Sequence, residues 1–274
     1  MTSSRIAFIG GGNMASAIIS GLLRQGHAAA DLLVIDPSPE QAARLRQTWG
    51  VTTLPAADAS LASASLVVWA VKPQQFASAA APCRAHTAGA LHLSVMAGLR
   101  LADIARALGT PAVVRTMPNT PALIGQGVIG VFAPVSVSAA DKGRVEDLLR
   151  PMGAVLWVAQ ESDLDAVTAL SGSGPAYVFY FLEAMQEAAV RMGLSAEQGR
   201  ELALGTFAGA SALARQSSDG FATLREKVTS KGGTTAAALA VLDDRQVKAA
   251  FIAALDAARE RARTLGDEFG RSAG

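Results

Sequence analysis

A glycine-rich turn set between a short apolar run and an amphipathic one limits this chain more than any other feature. Arg5 to Ile9 reads as a buried strand. Gly10-Gly11-Gly12-Asn13-Met14-Ala15 follows at once. Asn13 to Gln25 then reads as a helix, with Ile18, Ile19, Leu22 and Leu23 on one face. The turn matches G-x-G-x-x-A. Gly10 allows a tight bend, Gly12 lets backbone approach a pyrophosphate, and Ala15 lets helix and strand pack closely. Gly-rich turns are common, so it is the placement after a first strand that points to a dinucleotide.

The alternation continues. Leu32 to Ile35 is a second strand, and Ser38 to Trp49 a second helix opened by Ser-Pro-Glu. Further strands are expected at Leu66 to Ala70, Ala90 to Val95, Ala112 to Thr116 and Val128 to Phe132. This rhythm implies a mostly parallel, doubly wound α/β sheet of Rossmann-like type. After about Trp157 the rhythm changes. From Asp163 onward the pattern is helical, interrupted mainly by Gly172-Ser173-Gly174-Pro175. Pro175 suits the first turn of a helix running through Tyr177, Phe181 and Met185, and further helices are expected at Ala236 to Leu242 and Val247 to Leu265. Two domains follow: 1–160, dinucleotide-binding, and 161–274, all-α. The second is rich in Ala and poor in polar surface. It is expected to bury a face against a second copy, with ordinary monomeric packing as the alternative.

The 274 residues carry a formal net charge of +1, which gives no electrostatic footprint for nucleic acid or an anionic membrane. No apolar run approaches the roughly 20 residues of a membrane span, and the opening stretch is too short for a signal peptide. Cys83 is the one cysteine, so no intrachain disulfide is possible and a reducing cytoplasm fits. His27, His86 and His92 lack metal-ligand spacing, and no metal is expected.

Several loops carry candidate chemistry. Asp36 ends the second strand, about 24 residues beyond Gly12, where an acidic side chain bonds a ribose 2′-hydroxyl and favours NAD; a turn aspartate before Pro37 is the other reading. Ala70-Val71-Lys72-Pro73 lies at a strand's carboxyl end, where Lys72 sits near a cofactor or is a solvated loop lysine. Met117-Pro118-Asn119-Thr120-Pro121 offers the Asn119 amide to the same crevice, unless Asn119 is a turn residue. Ser230-Lys231-Gly232-Gly233-Thr234-Thr235 precedes an apolar helix. Open backbone N–H groups, a helix start and hydroxyls make a pocket for a carboxylate or phosphate; the plainer reading is a Gly turn with a Thr cap.

Taken together these motifs resemble pyrroline-5-carboxylate reductases, over nearly the whole chain. Gly10 to Ala15, Ala70 to Pro73, Met117 to Pro121, Ser171 to Tyr177 and Val228 to Thr235 stand in the family's order and spacing. The resemblance implies NAD(P)H-dependent reduction of 1-pyrroline-5-carboxylate to L-proline, the last step of proline synthesis. It implies a helical domain that dimerises by interleaving helices, a substrate loop facing the partner's cofactor, and higher assembly, commonly decameric. By position, Ser230, Gly233 and Thr234 would hold the substrate carboxylate and Thr235 would donate near the imine nitrogen. Gly10 to Ala15 (Gly11, Asn13 and Met14 included) and Ala70 to Pro73 would line the dinucleotide, and Ala97 and Gly98 would lie at its nicotinamide end. The family favours NADPH, whereas Asp36 leans toward NADH. Two departures stand out: Lys231 replaces the family's usual proline, and Ala57 replaces an asparagine that touches the adenine ribose.

Hydride would pass to the carbon of the C=N bond. No His, Asp or Glu falls in the substrate motif, so Thr235 is expected to assist as a hydrogen-bond donor near the imine nitrogen rather than as a strong acid, with protonation of the imine in solution carrying part of the burden. Two rivals remain: a two-domain dehydrogenase of hydroxy acids, which needs a catalytic lysine absent from Ser171 to Tyr177, and a non-catalytic dinucleotide-binding protein.

Overall fold

The computed structural model describes residues 5–272. In chain order the elements are β1 (Arg5–Ile9), α1 (Asn13–Arg24), β2 (Leu32–Ile35), α2 (Pro39–Trp49), β3 (Thr52–Leu54), β4 (Ala64–Trp69), α3 (Phe76–Arg84), β5 (Leu91–Ser94), α4 (Leu101–Leu108), β6 (Val113–Met117), β7 (Gly127–Phe132), α5 (Ala139–Leu149) and β8 (Gly153–Trp157). The helical part holds α6 (Asp163–Val167), which runs into a wider π turn at Thr168–Gly172, then α7 (Gly174–Arg191), α8 (Ala196–Gln216), α9 (Phe221–Lys227), α10 (Thr234–Asp244) and α11 (Val247–Ser272).

The strands form one sheet in the order β3-β2-β1-β4-β5-β6-β7-β8. All neighbours are parallel except β6 and β7. The reversal there has a simple cause. Only the short turn Thr120–Ile124 lies between those strands, and a parallel crossover needs a dozen residues or more. Both faces of the sheet's centre are covered, so its inner strands are mostly apolar. Ile6 and Phe8 of β1 pack with Val34, Val68, Leu93, α1 and α5 on one face. Ala7 and Ile9 pack with Ile35, Trp69, α3 and α4 on the other. The β2–α2 junction follows its signals. The Ser38 hydroxyl accepts from Gln41 N–H, Pro39 fills the first turn, and Gly50 at φ +66° closes the helix.

The expected strands are all present. β3 and β8 are additions that the sequence pattern did not mark. β3 has three residues at the sheet edge, and β8 alternates partly covered with exposed side chains, so neither shows an apolar run.

The chain divides into two compact units, residues 5–173 with 258–272 and Gly174–Ala257. The change of pattern near residue 160 and this division at 173/174 are therefore not the same point. In the second unit α7 and α8 cross closely enough that a Cβ on Gly199 would fall 2.8 Å from that of Ala189. Ser195 and Gln198 form a reciprocal capping box at the start of α8. Tyr177 and Phe181 meet Phe251 edge-on. Yet Ala189, Gly199 and Ala203 are its only buried residues, while Phe179 is 63% and Tyr180 68% exposed. Its helices present apolar faces with nothing of their own to cover them. Among the described residues no helix is long and apolar enough to cross a membrane.

His92 is fully buried in β5. Trp69 Nε1 donates to its Nδ1 at 3.0 Å, so the proton sits on Nε2, 3.2 Å from the Thr87 carbonyl. Burial pushes its pKa from 6.5 down to about 4, against the pull of that carbonyl. A depressed histidine pKa means that the unfolded chain binds the proton first. Stability is thus whole above about pH 6.5 and declines as pH falls toward 4, by about 3 kcal/mol from this group. Denaturant unfolding at pH 7 and pH 4.5 checks this. His92→Gln, which keeps a neutral donor and acceptor, should show a visibly shallower loss, and an equal loss in both proteins would refute the assignment.

Candidate active site

The carboxyl ends of β1, β2 and β4 surround a cavity of about 580 Å³. Its wall includes Gly10, Gly12, Asp36, Ala70, Val71 and Lys72, and on the β3 side Pro55 and Ala57. The glycine turn is built from backbone contacts. Gly10 N–H donates to Ile35 O at 2.8 Å and Ala70 N–H to Ile9 O at 2.8 Å. Gly10 stands at φ +91°, and a Cβ there would fall 2.7 Å from the Ala70 carbonyl oxygen. Gly11 is held at both ends of its residue. Its N–H donates to Asp36 Oδ2 at 2.8 Å, and its carbonyl accepts from Gln41 Nε2. Gly12 differs from both, because a Cβ there would meet nothing within 4 Å. It is the N-cap of α1 and offers no side-chain cap, and no acidic residue lies in the first turn. The unpaired N–H groups and positive end of α1 are therefore left for a negative group. Asn13 and Met14 continue that first turn, and Ala15 is fully buried beneath it.

Asp36 is placed on the cavity and in a turn at once. While Oδ2 takes Gly11 N–H, Oδ1 takes Ser38 N–H at 2.9 Å. The carboxylate thus ties the glycine turn to the β2–α2 turn and also stands on the cavity wall. Lys72 is exposed on the same wall, and Pro73 opens the short turn after it. Cys83 closes the wall as an apolar group, since burial pushes its thiol up to about 11. That shift keeps it almost wholly in the thiol form at neutral pH.

Ala97 and Gly98 follow β5 and border a separate cavity of about 30 Å³. Gly98 stands at φ +78°, and a Cβ there would lie 3.0 Å from the Phe269 ring. Asn119 is engaged within the fold. Its Nδ2 donates to Ser171 O at 3.0 Å and its Oδ1 accepts from Val128 N–H at 2.9 Å. One N–H and the oxygen of this buried amide brace the β6–β7 loop, and Asn119 is not among the residues lining either of these cavities.

In the second unit, α9 ends at Lys227 and α10 begins at Thr234. Gly232 turns the chain at φ +73°. Gly233 N–H donates to Ser230 O at 3.1 Å, and Gly233 is itself the N-cap. The plainer expectation of a threonine cap therefore gives way. Here too no side chain caps the helix, and no acidic residue sits in its first turn. Ser230, Lys231 and Thr234 are exposed, and Gly233 and Thr235 are half-buried.

Four charged residues escaped the sequence reading. Arg115 pairs with Glu161, and Arg100 with Asp165 at 3.1 Å. One signal was available: an arginine in the apolar strand Val113-Val114-Arg115-Thr116 must find a buried partner.

Comparison with known proteins decides the family. A pyrroline-5-carboxylate reductase from Haemophilus influenzae is 41% identical over 268 residues, 97% of this chain and 98% of that protein. This chain belongs to the pyrroline-5-carboxylate reductase family. The model of pyrroline-5-carboxylate reductase dimerisation matches residues 161–265, and one described as NADP oxidoreductase, coenzyme F420-dependent, matches residues 5–98. A solved reductase from Coxiella burnetii superposes with a TM-score of 0.88 at 37% identity, covering 96% of this chain and 99% of that one. The Plasmodium falciparum reductase, solved with NADP bound, gives 0.87 at 28% identity over 97% of this chain and 99% of that one. The chain is an oxidoreductase with a Rossmann-like first part and a helical part of the family's dimerising type, which accounts for the uncovered apolar helices.

Two glycines separate structure from binding. Gly12→Val should fold with only the small stability loss of a poorer N-cap while dinucleotide affinity falls about 100-fold or more, because its side chain enters the cavity. Gly10→Val should lose stability by about 1–3 kcal/mol or more, from positive φ and the Ala70 carbonyl. Thermal unfolding and cofactor titration of both variants check the contrast.

Proposed function

We propose that this chain reduces 1-pyrroline-5-carboxylate to L-proline with NAD(P)H, the closing step of proline biosynthesis. The observation that carries the reading is the Ser230–Thr235 loop at the uncapped start of α10, in a member of this family with a fitting dinucleotide cavity. The cavity fits a dinucleotide because its volume is in the range of cofactor sites, Gly12 leaves the backbone bare, and the N-terminus of α1 is free for a pyrophosphate.

When bound, the reduced nicotinamide supplies the hydride. The residues of this chain do the rest. Gly10 to Ala15 and Ala70 to Pro73 hold the dinucleotide, with Asp36 at its adenosine ribose and Ala97 and Gly98 at its nicotinamide. Asn119 acts through the loop that it braces. Ser230, Gly233 and Thr234 hold the substrate carboxylate on the positive end of α10. Anchoring of the carboxylate fixes the ring, and alignment alone supplies several kcal/mol of such a barrier. Thr235 donates to the imine nitrogen. A threonine hydroxyl is a weak acid, so the net proton comes from solution; once the nitrogen carries that proton and has no lone pair left, Thr235 Oγ1 accepts from its N–H instead and orients the C=N bond. Lys231 adds a positive charge beside this loop, where it favours an anionic substrate.

The reading divides the chain functionally into 1–160, the dinucleotide-binding domain, and 161–274, the substrate and dimerisation domain. The helical part pairs two copies, and dimers assemble further into a decamer. The enzyme works in the cytoplasm, and NADPH is the usual donor with NADH as the alternative.

The test mixes purified protein with 1-pyrroline-5-carboxylate and follows nicotinamide absorbance with NADPH and NADH in parallel. Oxidation with proline appearing is the expected result. No turnover with either donor, from folded protein that still binds one, would overturn the reading. Thr235→Ala should lower kcat about 100-fold with the fold intact, and Thr235→Ser should recover most of it. Full turnover by folded Thr235→Ala would remove that role.

A further inference from the structure

A turn at the carboxyl end of β5, Met96 to Gly98, lies beside a network of charged side chains. Arg115 comes from β6 and borders the same small cavity. Its side chain is 5% exposed, and its Nη1 pairs with Glu161. The same Glu161 oxygen accepts Leu101 N–H at 2.6 Å. That bond supplies the start of α4 with the cap its own N-cap residue, Arg100, does not provide. Arg100 turns the other way. It donates to both Asp165 oxygens, at 3.2 and 3.1 Å, and to the Arg263 carbonyl at 3.2 Å. Its guanidinium lies against Gly266, where a Cβ would fall 2.5 Å from Nε. The turn between these anchors is pressed by Phe269 at Gly98. Arg115 keeps one loose end. Among the described residues its buried Nε has no hydrogen-bond partner, and the residue borders the 30 Å³ cavity shared with Ala97 and Gly98.

The strand order says what this turn serves. β2 and β5 lie on opposite sides of the β1/β4 pair. The larger cavity reaches toward β2 and β3 through Asp36, Pro55 and Ala57, which suits an adenosine. A dinucleotide extended past Gly12 then carries its nicotinamide toward β4 and β5, to the Met96–Gly98 turn.

We propose that Arg115 and Glu161 are positioning residues for hydride transfer, fixing the Met96–Leu101 backbone against which the nicotinamide rests. The proposal rests on the reductase reading of the crevice. Neither side chain needs to touch the cofactor. Glu161 joins Arg115 to the α4 backbone, and the paired charges keep that backbone in one place. A support of this kind acts on geometry at the reacting end and leaves the distant adenosine end alone.

The test uses Glu161→Gln, whose carbonyl can still take Leu101 N–H while the charge facing Arg115 is lost, and Arg115→Lys as a second variant. Each is measured for kcat, for the isotope effect with the transferred deuterium on the nicotinamide, and for affinity toward NADH and ADP-ribose. Kcat should fall about 10- to 100-fold, as expected for displacement on the scale of an ångström. The isotope effect should rise, ADP-ribose affinity should stay at the wild-type level, and the advantage of NADH over ADP-ribose should shrink. Equal weakening of NADH and ADP-ribose, or no change in kcat and in that advantage, would overturn the proposal. Should one variant fail to fold, the other decides. Wild-type inactivity on 1-pyrroline-5-carboxylate would count against the reductase reading alone, since the two affinities still report on the turn.

Discussion

The crevice depends on one backbone contact, that of Gly10 with the carbonyl of Ala70. With 2.7 Å between that oxygen and the place a Cβ would occupy, the ends of β1 and β4 close on each other only through glycine. This closeness directs the chain from β1 into α1 and aims the N-terminus of α1 across the sheet's carboxyl edge. Asp36 and Gln41 then hold the next residue, Gly11, by its N–H and its carbonyl. A turn made of glycines would be loose by itself. Here two side chains from the β2–α2 region make it rigid without filling the space over Gly12.

Helix starts in this protein divide by what lies in front of them. α2, α5 and α8 begin at Ser38, Ser138 and Ser195, whose hydroxyls take a backbone N–H. α1 and α10 begin at Gly12 and Gly233, which have no hydroxyl to give. α9 also starts on a glycine, Gly220, but runs only seven residues. Serine satisfies a helix from within and leaves little for a ligand. Glycine keeps the donors open. The two helices assigned to negatively charged groups are thus among those without a side-chain cap, and both start on glycine.

Local signals made much of this legible in the sequence. The run Arg5 to Ala15 declares strand, turn and helix in succession, and Ser38-Pro39 with Gly50 brackets α2. What stayed hidden depends on partners far along the chain. β3 and β8 become strands because β2 and β7 offer them an edge, not because Thr52–Leu54 or Gly153–Trp157 shows a period of its own. The bonds of Asn119 to Ser171 O and Val128 N–H join residues too far apart in the chain for the sequence to place together. Asp36 showed the reverse limit. The sequence leaves ribose partner and turn residue open, and in the fold Asp36 makes the turn's bonds while also standing on the cavity wall. Glu161 as a cap for α4, sixty residues upstream, had no signal at all.

The helical unit buries only Ala189, Gly199 and Ala203 within itself. A lone copy therefore has little to hold its helices together, and much of what stabilises them arrives with a second chain. Its maturation is then a second-order event whose half-time lengthens as copies become scarce. During that interval the same faces that will make the interface are open to wrong partners. The concentration at which the protein is made is for this reason part of its folding problem.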